Sequence, residues 1–145
     1  MKKAVLIVIG VLALLLCGCQ TKEQNDMKNS DNKTVTFING VNEADVWILP
    51  QTKANLKTTV WGKATASKVQ KGESRQTLLC EAGDEDHYIF RMIDTDSFYY
   101  SANDLTLEAG WTLELKESDS REVTLEIKDK NDELKNTYEV FSAKL

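Results

Sequence analysis

From Thr34 onward, apolar and polar residues alternate with a period of two, and turn-forming residues recur roughly every 8–12 positions. Short alternating runs at this spacing are typical of an antiparallel β-sandwich or barrel. No stretch has an apolar stripe at helical spacing, so we expect at most one helical turn, within residues 102–109. The pattern predicts strands over residues 34–39, 44–49, 57–61, 75–81, 87–93, 97–101, 111–116, 122–128 and 137–143.

Two of these strands carry consecutive apolar residues, Val46-Trp47-Ile48-Leu49 in one and Tyr88-Ile89-Phe90 in the other. Such strands need cover on both faces, which indicates central positions in sheets that pack face to face. Pro50 ends the first of them, because proline cannot donate to a ladder. The expected fold class is an all-β antiparallel sandwich of about eight or nine strands, Ig-like in general architecture, over residues 34–145.

Two hairpins can be given a register from the alternation alone. For residues 111–128, apolar residues oppose apolar ones and charges oppose opposite charges when the pairs are Trp111 with Ile127, Leu113 with Leu125, Leu115 with Val123, Lys116 with Glu122, and Glu117 with Arg121. Residues 118–120 then form the loop. For residues 87–101, the same reasoning pairs Met92 with Phe98 and Phe90 with Tyr100, and leaves 94–96 as the turn.

The N-terminus has the organisation of an export signal. Met1-Lys2-Lys3 is followed by an apolar run over residues 4–16, too short to span a membrane comfortably. Leu16-Cys17-Gly18-Cys19 then resembles the lipobox of bacterial lipoproteins. That resemblance implies cleavage after residue 18 and a diacylglyceryl group on the Cys19 thiol, whose acyl chains anchor the chain on a membrane. The alternative is an ordinary secretory signal with a coincidental cysteine.

This interpretation divides the chain into a signal peptide (1–18), a lipidated cysteine with a polar tether (19–33), and a folded domain (34–145). As a coil, the tether spans roughly 20 Å. Cleavage removes Lys2 and Lys3 from the 18 basic residues, leaving 16 against 23 acidic ones and a net charge near −7. An acidic surface argues against nucleic acid as a partner and against electrostatic docking on anionic lipid.

Candidate catalytic and metal-binding residues are few. His87 is the one histidine, and no Gly-x-Ser-x-Gly, Cys-His or His-Glu-x-x-His arrangement accompanies it, so we expect a strand-edge surface residue and no enzyme. Acidic residues cluster at Asp84-Glu85-Asp86 and at Asp94 and Asp96, with Asp104 as a further candidate. Turn formation is the expected role of these residues, with a calcium site as the alternative. No metal or cofactor is expected.

The remaining candidates are aromatic residues and one cysteine. Trp111 lies on the apolar face of its strand and should be core, and we expect core or inter-sheet packing for Trp47 and Trp61. If either were exposed, it could stack on a sugar or anchor a protein interface. Because Cys17 is removed and Cys19 acylated, Cys80 is expected to be a buried thiol without an intramolecular disulfide, the alternative being an exposed thiol capable of an intermolecular one. Gly72 and Gly110 are expected in turns.

Several pieces of the folded part occur together: Phe37-Ile38-Asn39, Trp47-Ile48-Leu49-Pro50, Trp61-Gly62, Gly72-Glu73-Ser74 and the run from Tyr88 to Asp94. Over residues 34–116 this combination resembles small all-β domains that recur in bacterial secreted proteins and lipoproteins. The resemblance implies the fold alone and assigns no activity and no site residue. Residues 122–143 would be an extension of such a domain.

Together these features predict a lipoprotein anchored through Cys19 on the extracytoplasmic face of the cell membrane. Its domain is expected to be a non-enzymatic binding or interaction module for an unidentified protein, peptide or glycan, with ligand-binding residues unassigned. The alternative is an accessory or inhibitory envelope lipoprotein that acts on a hydrolase or an envelope complex.

Overall fold

The computed structural model describes residues 33–145, so the predicted signal peptide, Cys19 and all but the last residue of the tether lie outside it. The strands in this range are β1 (Thr34–Ile38), β2 (Ala44–Pro50), β3 (Ala66–Val69), β4 (Ser74–Leu78), β5 (Tyr88–Asp94), β6 (Phe98–Leu105), β7 (Thr112–Glu117), β8 (Val123–Lys128), β9 (Leu134–Glu139) and β10 (Phe141–Lys144). One short helix, α1 (Lys53–Lys57), and a 3₁₀ turn at Asp84–Asp86 complete the elements. Neither is long and apolar enough to cross a membrane, and residues 33–145 hold no other helix.

The strands form two five-stranded sheets, with the orders β4-β1-β7-β8-β9 and β10-β6-β5-β2-β3. Neighbouring strands are antiparallel except β1 and β7, which run parallel. The prediction of an all-β sandwich is therefore confirmed, with ten strands rather than eight or nine. The ladder of β2 also ends at Pro50, as expected.

The core lies between the two sheets and follows the alternation read from the sequence. Phe37 of β1 meets Phe90 of β5, with ring centroids 5.7 Å apart, and both rings are fully buried. Leu113, Leu115, Leu125 and Ile127 are buried from the first sheet. Val46, Ile48, Met92 and Tyr100 oppose them from the second. The predicted faces of these strands are thus correct.

The outer face of the second sheet is partly covered by residues 51–65. Leu49 and Ile89 are buried although they point away from the main core, which explains the consecutive apolar residues of β2 and β5. The strand predicted over 57–61 is wrong. Thr52 caps α1 by accepting a hydrogen bond from the backbone N–H of Asn55, and a loop follows. Residues 57–61 cannot pair with β2, because β5 and β3 already occupy its two edges.

Strand β3 was missed because a register shift hides its alternation. Ala44 pairs with Val69 and Val46 pairs with Ala66, so one more residue separates the partners on β3 than on β2. Lys68 absorbs the shift with φ of +53°. Both ends of β3 are consequently buried, and the sequence Ala-Ser-Lys-Val shows no period of two.

The strand predicted over 137–143 is in fact two strands in different sheets. β9 pairs with β8 in the first sheet, and β10 pairs with β6 in the second. Val140 is the single residue between them; it is buried, and its N–H donates to the carbonyl of Val123. The helical turn considered within 102–109 is also wrong, because β6 continues to Leu105.

Three hairpins share one turn, and this turn corrects both predicted registers. After Asp94, Ser118 and Asp129, the N–H three residues on donates to the carbonyl of that first residue. The third loop residue is left-handed each time, with φ near +64° at Ser97, Arg121 and Asp132. These are the features of a type I turn followed by a left-handed residue. Each turn has three loop residues; for the β5–β6 and β7–β8 hairpins these are residues 95–97 and 119–121, one position later than the predicted 94–96 and 118–120.

The observed pairs are accordingly shifted by two residues, which changes partners but not faces. In the β7–β8 hairpin, Leu113 pairs with Ile127 and Leu115 with Leu125. The predicted ion pairs of Lys116 with Glu122 and Glu117 with Arg121 are replaced by Lys116 with Glu126, at 2.7 Å, and Lys128 with Glu114, at 3.2 Å. In the β5–β6 hairpin, Met92 pairs with Tyr100 and Phe90 with Ala102.

Candidate functional site

Four aromatic rings form a contiguous row on the outer face of the second sheet, which we call the aromatic strip: Trp47, Trp61, Tyr99 and Phe141. Trp47 and Trp61 have ring centroids 5.6 Å apart and are tilted by 58°. Trp61 stacks on Tyr99 at 5.8 Å with only 10° between the ring planes. Phe141 meets the edge of Tyr99 at 6.4 Å.

Strand pairing and one loop bring these rings together. Trp47 lies opposite in direction to Val46 and Ile48, as the alternation predicts, and pairs with Arg91 of β5. Phe141 of β10 joins the same row because it pairs with Ser101, which in turn pairs with Arg91. Trp61 comes from the loop after α1, where the indole Nε1 of Trp47 donates to the carbonyl of Gly62 at 3.1 Å.

The aromatic strip is partly accessible to solvent. Trp47, Trp61 and Tyr99 are half-buried, and Phe141 is 62% exposed. Val60, beside Trp61 in the loop, is 78% exposed. The expectation of core or inter-sheet packing for Trp47 and Trp61 is therefore wrong. They pack on each other outside the sandwich, because the inner face of the second sheet is already filled by its aliphatic and Phe residues.

Trp111 differs from its predicted role in a smaller way. It is half-buried and packs against the edge of the core rather than inside it. Its position just before β7, after a left-handed Gly110, places it at the end of the sheet. Gly110 and Gly72 both have positive φ, +85° and +80°, which confirms the prediction that they occupy turns.

Arg91 lies in the same row as Trp47 and was not singled out by the sequence. It is only 5% exposed, and its Nη1 donates to the carbonyls of Phe90 at 2.7 Å and Ala102 at 3.0 Å. No carboxylate of residues 33–145 lies within ion-pair distance of the guanidinium. Burial lowers the pKa of Arg91, and Tyr99 opposes that effect. The signal in the sequence was one charged residue inside the apolar run of β5.

Trp61 has an incompletely satisfied side chain. Its indole Nε1 is enclosed by the protein and has no hydrogen-bond partner. A buried donor without an acceptor costs about 1–3 kcal/mol. The indole Nε1 of the neighbouring Trp47 donates to the carbonyl of Gly62, so one indole N–H of the strip has an acceptor and the other has none.

The strip borders a basic segment in an otherwise acidic chain. Residues 46–72 contain five lysines and no Asp or Glu. Three of these lysines, Lys53, Lys57 and Lys63, belong to the covering segment and are exposed. The strip therefore combines exposed aromatic surface, a buried cation and exposed ammonium groups on one side of the domain.

His87 does not assemble a catalytic group. It is half-buried immediately before β5, rather than at the surface as predicted, and its Nδ1 is enclosed without a hydrogen-bond partner. Its backbone carbonyl accepts from Gln51 and Gly83, which joins the start of β5 to the end of β2. The tight approach of the chain at Gly83 leaves no room for a Cβ beside the backbone of Gln51.

The acidic residues at 84–86, 94 and 96 lie within turns or at their ends. Asp94 Oδ1 accepts from the N–H groups of Asp96 and Phe98, and Oδ2 accepts from the Tyr100 hydroxyl at 3.1 Å. This confirms the turn interpretation for Asp94. Asp104 accepts from Gln51 Nε2. Asp84–Asp86 form the 3₁₀ turn before β5. Within residues 33–145, no three His, Cys, Asp or Glu side chains converge as metal ligands. The predicted absence of a metal stays a prediction.

Cys80 departs from its prediction. The residue is half-buried and disulfide-bonded, whereas a buried thiol was expected. Thr77 and Leu79 are the buried residues of this segment, whereas Leu78 is exposed. The chain has only two other cysteines, Cys17 and Cys19, both outside the described residues.

The two best-formed cavities of the described residues are shallow and lie elsewhere. One, of about 320 Å³, is on the first sheet between Asn39, Lys71 and Leu115. The other, of about 250 Å³, lies at Asp45, Lys68 and Thr95. Neither includes His87 or an aromatic ring of the strip. No family model, no curated protein and no solved structure matches this chain.

Proposed function

We propose that this protein is a lipid-anchored extracytoplasmic lipoprotein whose sandwich domain is a non-enzymatic binding module, with the aromatic strip as its binding surface. The observation that carries the binding role is the row of four contacting rings on one outer face. The observation that carries the anchor is the Leu-Cys-Gly-Cys sequence ending at Cys19, directly after an apolar run.

The chemistry of the strip supports a binding role. Aromatic side chains bring large contact area at a low cost in conformational entropy, and tryptophan and tyrosine dominate the residues that contribute most to binding energy. Leaving Phe141 and Val60 largely exposed has an unfavourable hydration free energy. A ligand that covers them recovers it.

A catalytic role has less support. A histidine that acts as general base is held by a hydrogen bond from its Nδ1 to an orienting group. The Nδ1 of His87 has no such partner. We therefore assign binding rather than catalysis to the domain.

The anchor is tested by replacing Cys19 with serine and labelling growing cells with a tagged fatty acid. The wild-type protein should carry the label and the Cys19→Ser variant should carry none. Intact mass of the purified wild type should match a chain that begins at an acylated Cys19. A purified wild-type chain that still begins at Met1 and carries no acyl group would refute the anchor.

The binding surface is tested by sedimentation of the detergent-solubilised full chain with the insoluble envelope fraction of its own bacterium. Phe141→Ala removes an exposed ring of the strip, and Leu134→Ala is a matched control on β9 of the other sheet, with 56% exposure against 62%. We expect retention of the wild type, a loss of at least fivefold for Phe141→Ala, and no change for Leu134→Ala. Equal retention of all three proteins, or retention of none, would refute the proposal.

A further inference from the structure

We infer that the ligand of the aromatic strip is an acidic glycan, a chain of sugars that bear carboxylates. This inference rests on the proposed function and names the class of ligand. The rings would stack on the apolar faces of the sugar rings, while Lys57, Lys63 and the buried Arg91 attract the carboxylates.

The first argument is the local charge. The whole chain is acidic, yet residues 51–65, the segment that carries Trp61, hold three lysines and no acidic residue. Charges separated by more than about 8–10 Å are screened at physiological ionic strength. A thin glycan chain on the strip would therefore experience the lysines of this segment, together with Asp45 on the same face of β2 as Trp47, rather than the net charge of the whole chain. A flat anionic membrane would instead face a large part of the acidic domain.

The second argument is the uncompensated charge under the strip. Arg91 is only 5% exposed, and its partners are the carbonyls of Phe90 and Ala102 and the side chain of Tyr99, rather than a carboxylate. It pairs across the sheet with Trp47. A charge in a region of low dielectric is poorly screened, so its field extends to the rings above it. Proteins rarely bury a guanidinium without a counter-ion, and an acidic ligand would supply one.

The third argument is the shape of the surface. Neighbouring rings of the strip have centroids 5.6–6.4 Å apart, so together they form a continuous apolar surface along one outer face of the second sheet. A sugar ring has an apolar C–H face and a polar rim of hydroxyl groups. Stacking on half-buried aromatic rings covers the face and leaves the rim hydrated. An open strip of this kind fits a linear chain better than a compact molecule, which binds in enclosed cavities.

The test is calorimetric titration of the detergent-solubilised full chain with tetragalacturonate and with its fully methyl-esterified form. The two probes have the same sugar rings, but the ester is uncharged. We expect the acidic form to bind at least tenfold more tightly, and its affinity to fall as salt is raised. Polyglutamate of equal charge has carboxylates without sugar rings, and it should bind at least tenfold more weakly than tetragalacturonate.

Two double variants remove the same charge from different places. Lys57→Gln with Lys63→Gln acts beside the strip, and Lys71→Gln with Lys130→Gln acts away from it. All four lysines are exposed, so both variants should fold. We expect about a 3–10-fold loss of tetragalacturonate affinity for the first and no change for the second.

Three results would overturn the inference. Equal binding of the ester would show that charge is not recognised, and equal binding of polyglutamate would show that the sugar is not. Absence of tetragalacturonate binding, with envelope retention that still depends on Phe141, would refute the glycan class while leaving the proposed function intact. Absence of both would refute the proposed function itself.

Discussion

The two indoles of the aromatic strip provide a matched test of the structure. Trp47 and Trp61 are neighbours in the same row, both half-buried, and the same replacement by phenylalanine can be made at each. Trp47 Nε1 donates to the carbonyl of Gly62. Trp61 Nε1 is buried without an acceptor. One substitution therefore removes a hydrogen bond, and the other removes an unsatisfied donor.

The magnitudes follow from those two states. Both substitutions lose a similar part of the indole ring and hence a similar packing free energy. Trp47→Phe additionally loses a hydrogen bond worth about 0.5–1.5 kcal/mol. Trp61→Phe instead relieves a desolvation cost of about 1–3 kcal/mol. We expect Trp47→Phe to be the less stable variant by about 1.5–4.5 kcal/mol, the sum of these two effects, with Trp61→Phe closer to the wild type.

The assay is urea unfolding of the full chain in detergent, followed by far-ultraviolet circular dichroism, and each transition is normalised to the folded and unfolded baselines of its own variant. The transition midpoints should differ while the slopes m agree, because the surface exposed on unfolding is nearly the same. If Trp61→Phe is as destabilising as Trp47→Phe, or more so, the contrast between the two indoles is wrong. The description of the loop that holds Trp61 would then be wrong as well.

Three further predictions concern stability. Leu113→Ala should lower the free energy of unfolding by about 2–5 kcal/mol, because the side chain is fully buried. Glu114→Ala, on the opposite face of β7, should lower it by at most about 1 kcal/mol. The reverse order in denaturant unfolding would mean that the two faces of β7 are exchanged. Gly40→Ala should cost about 3 kcal/mol or more, because its Cβ would lie 2.0 Å from the carbonyl oxygen of Leu115, and a melting temperature equal to wild type would contradict that approach. Burial and the hydrogen bond to the Asp94 carboxylate raise the pKa of the Tyr100 hydroxyl, so the stabilisation that the neutral hydroxyl gives to the folded state is present below about pH 10 and is lost as pH rises above that value. Tyr100→Phe should therefore reduce the fall in the free energy of unfolding that is measured above about pH 10. An unchanged slope would exclude Tyr100 as the cause of that fall.

Much of the fold could be predicted because burial follows a period of two. The faces of β1, β2, β5, β7 and β8 were correct, since a strand with one wrong face would place apolar side chains in water. Register was not accessible in the same way. A shift by two residues keeps every side chain on its face, so the pattern cannot distinguish Leu113 with Leu125 from Leu113 with Ile127. The turn decides between them.

That turn had a signal in the sequence, but a weak one. Asp94, Ser118 and Asp129 each accept hydrogen bonds from backbone N–H groups further along their own loop. Asp and Ser at the first position of a type I turn are favoured for this reason. The left-handed residues, however, are Ser97, Arg121 and Asp132 rather than glycine, so the usual marker of this position was missing.

The candidate site was only half predictable. Alternation placed Trp47 on the face opposite to Val46, which is correct. The position of Trp61 depends on a loop that crosses the sheet, and loops have no period to follow. Arg91 was overlooked because its burial results from that loop and from Tyr99, neither of which is near it in sequence.

The central claim is that the aromatic strip is the binding surface, and hydrogen–deuterium exchange tests it most directly. The full chain would be compared with and without solubilised envelope material that retains it. Exchange should slow in the loop over residues 58–65 and around Phe141, while the outer face of the first sheet stays unchanged. Slowed exchange confined to the first sheet, or unchanged exchange in the loop during proven binding, would contradict the account.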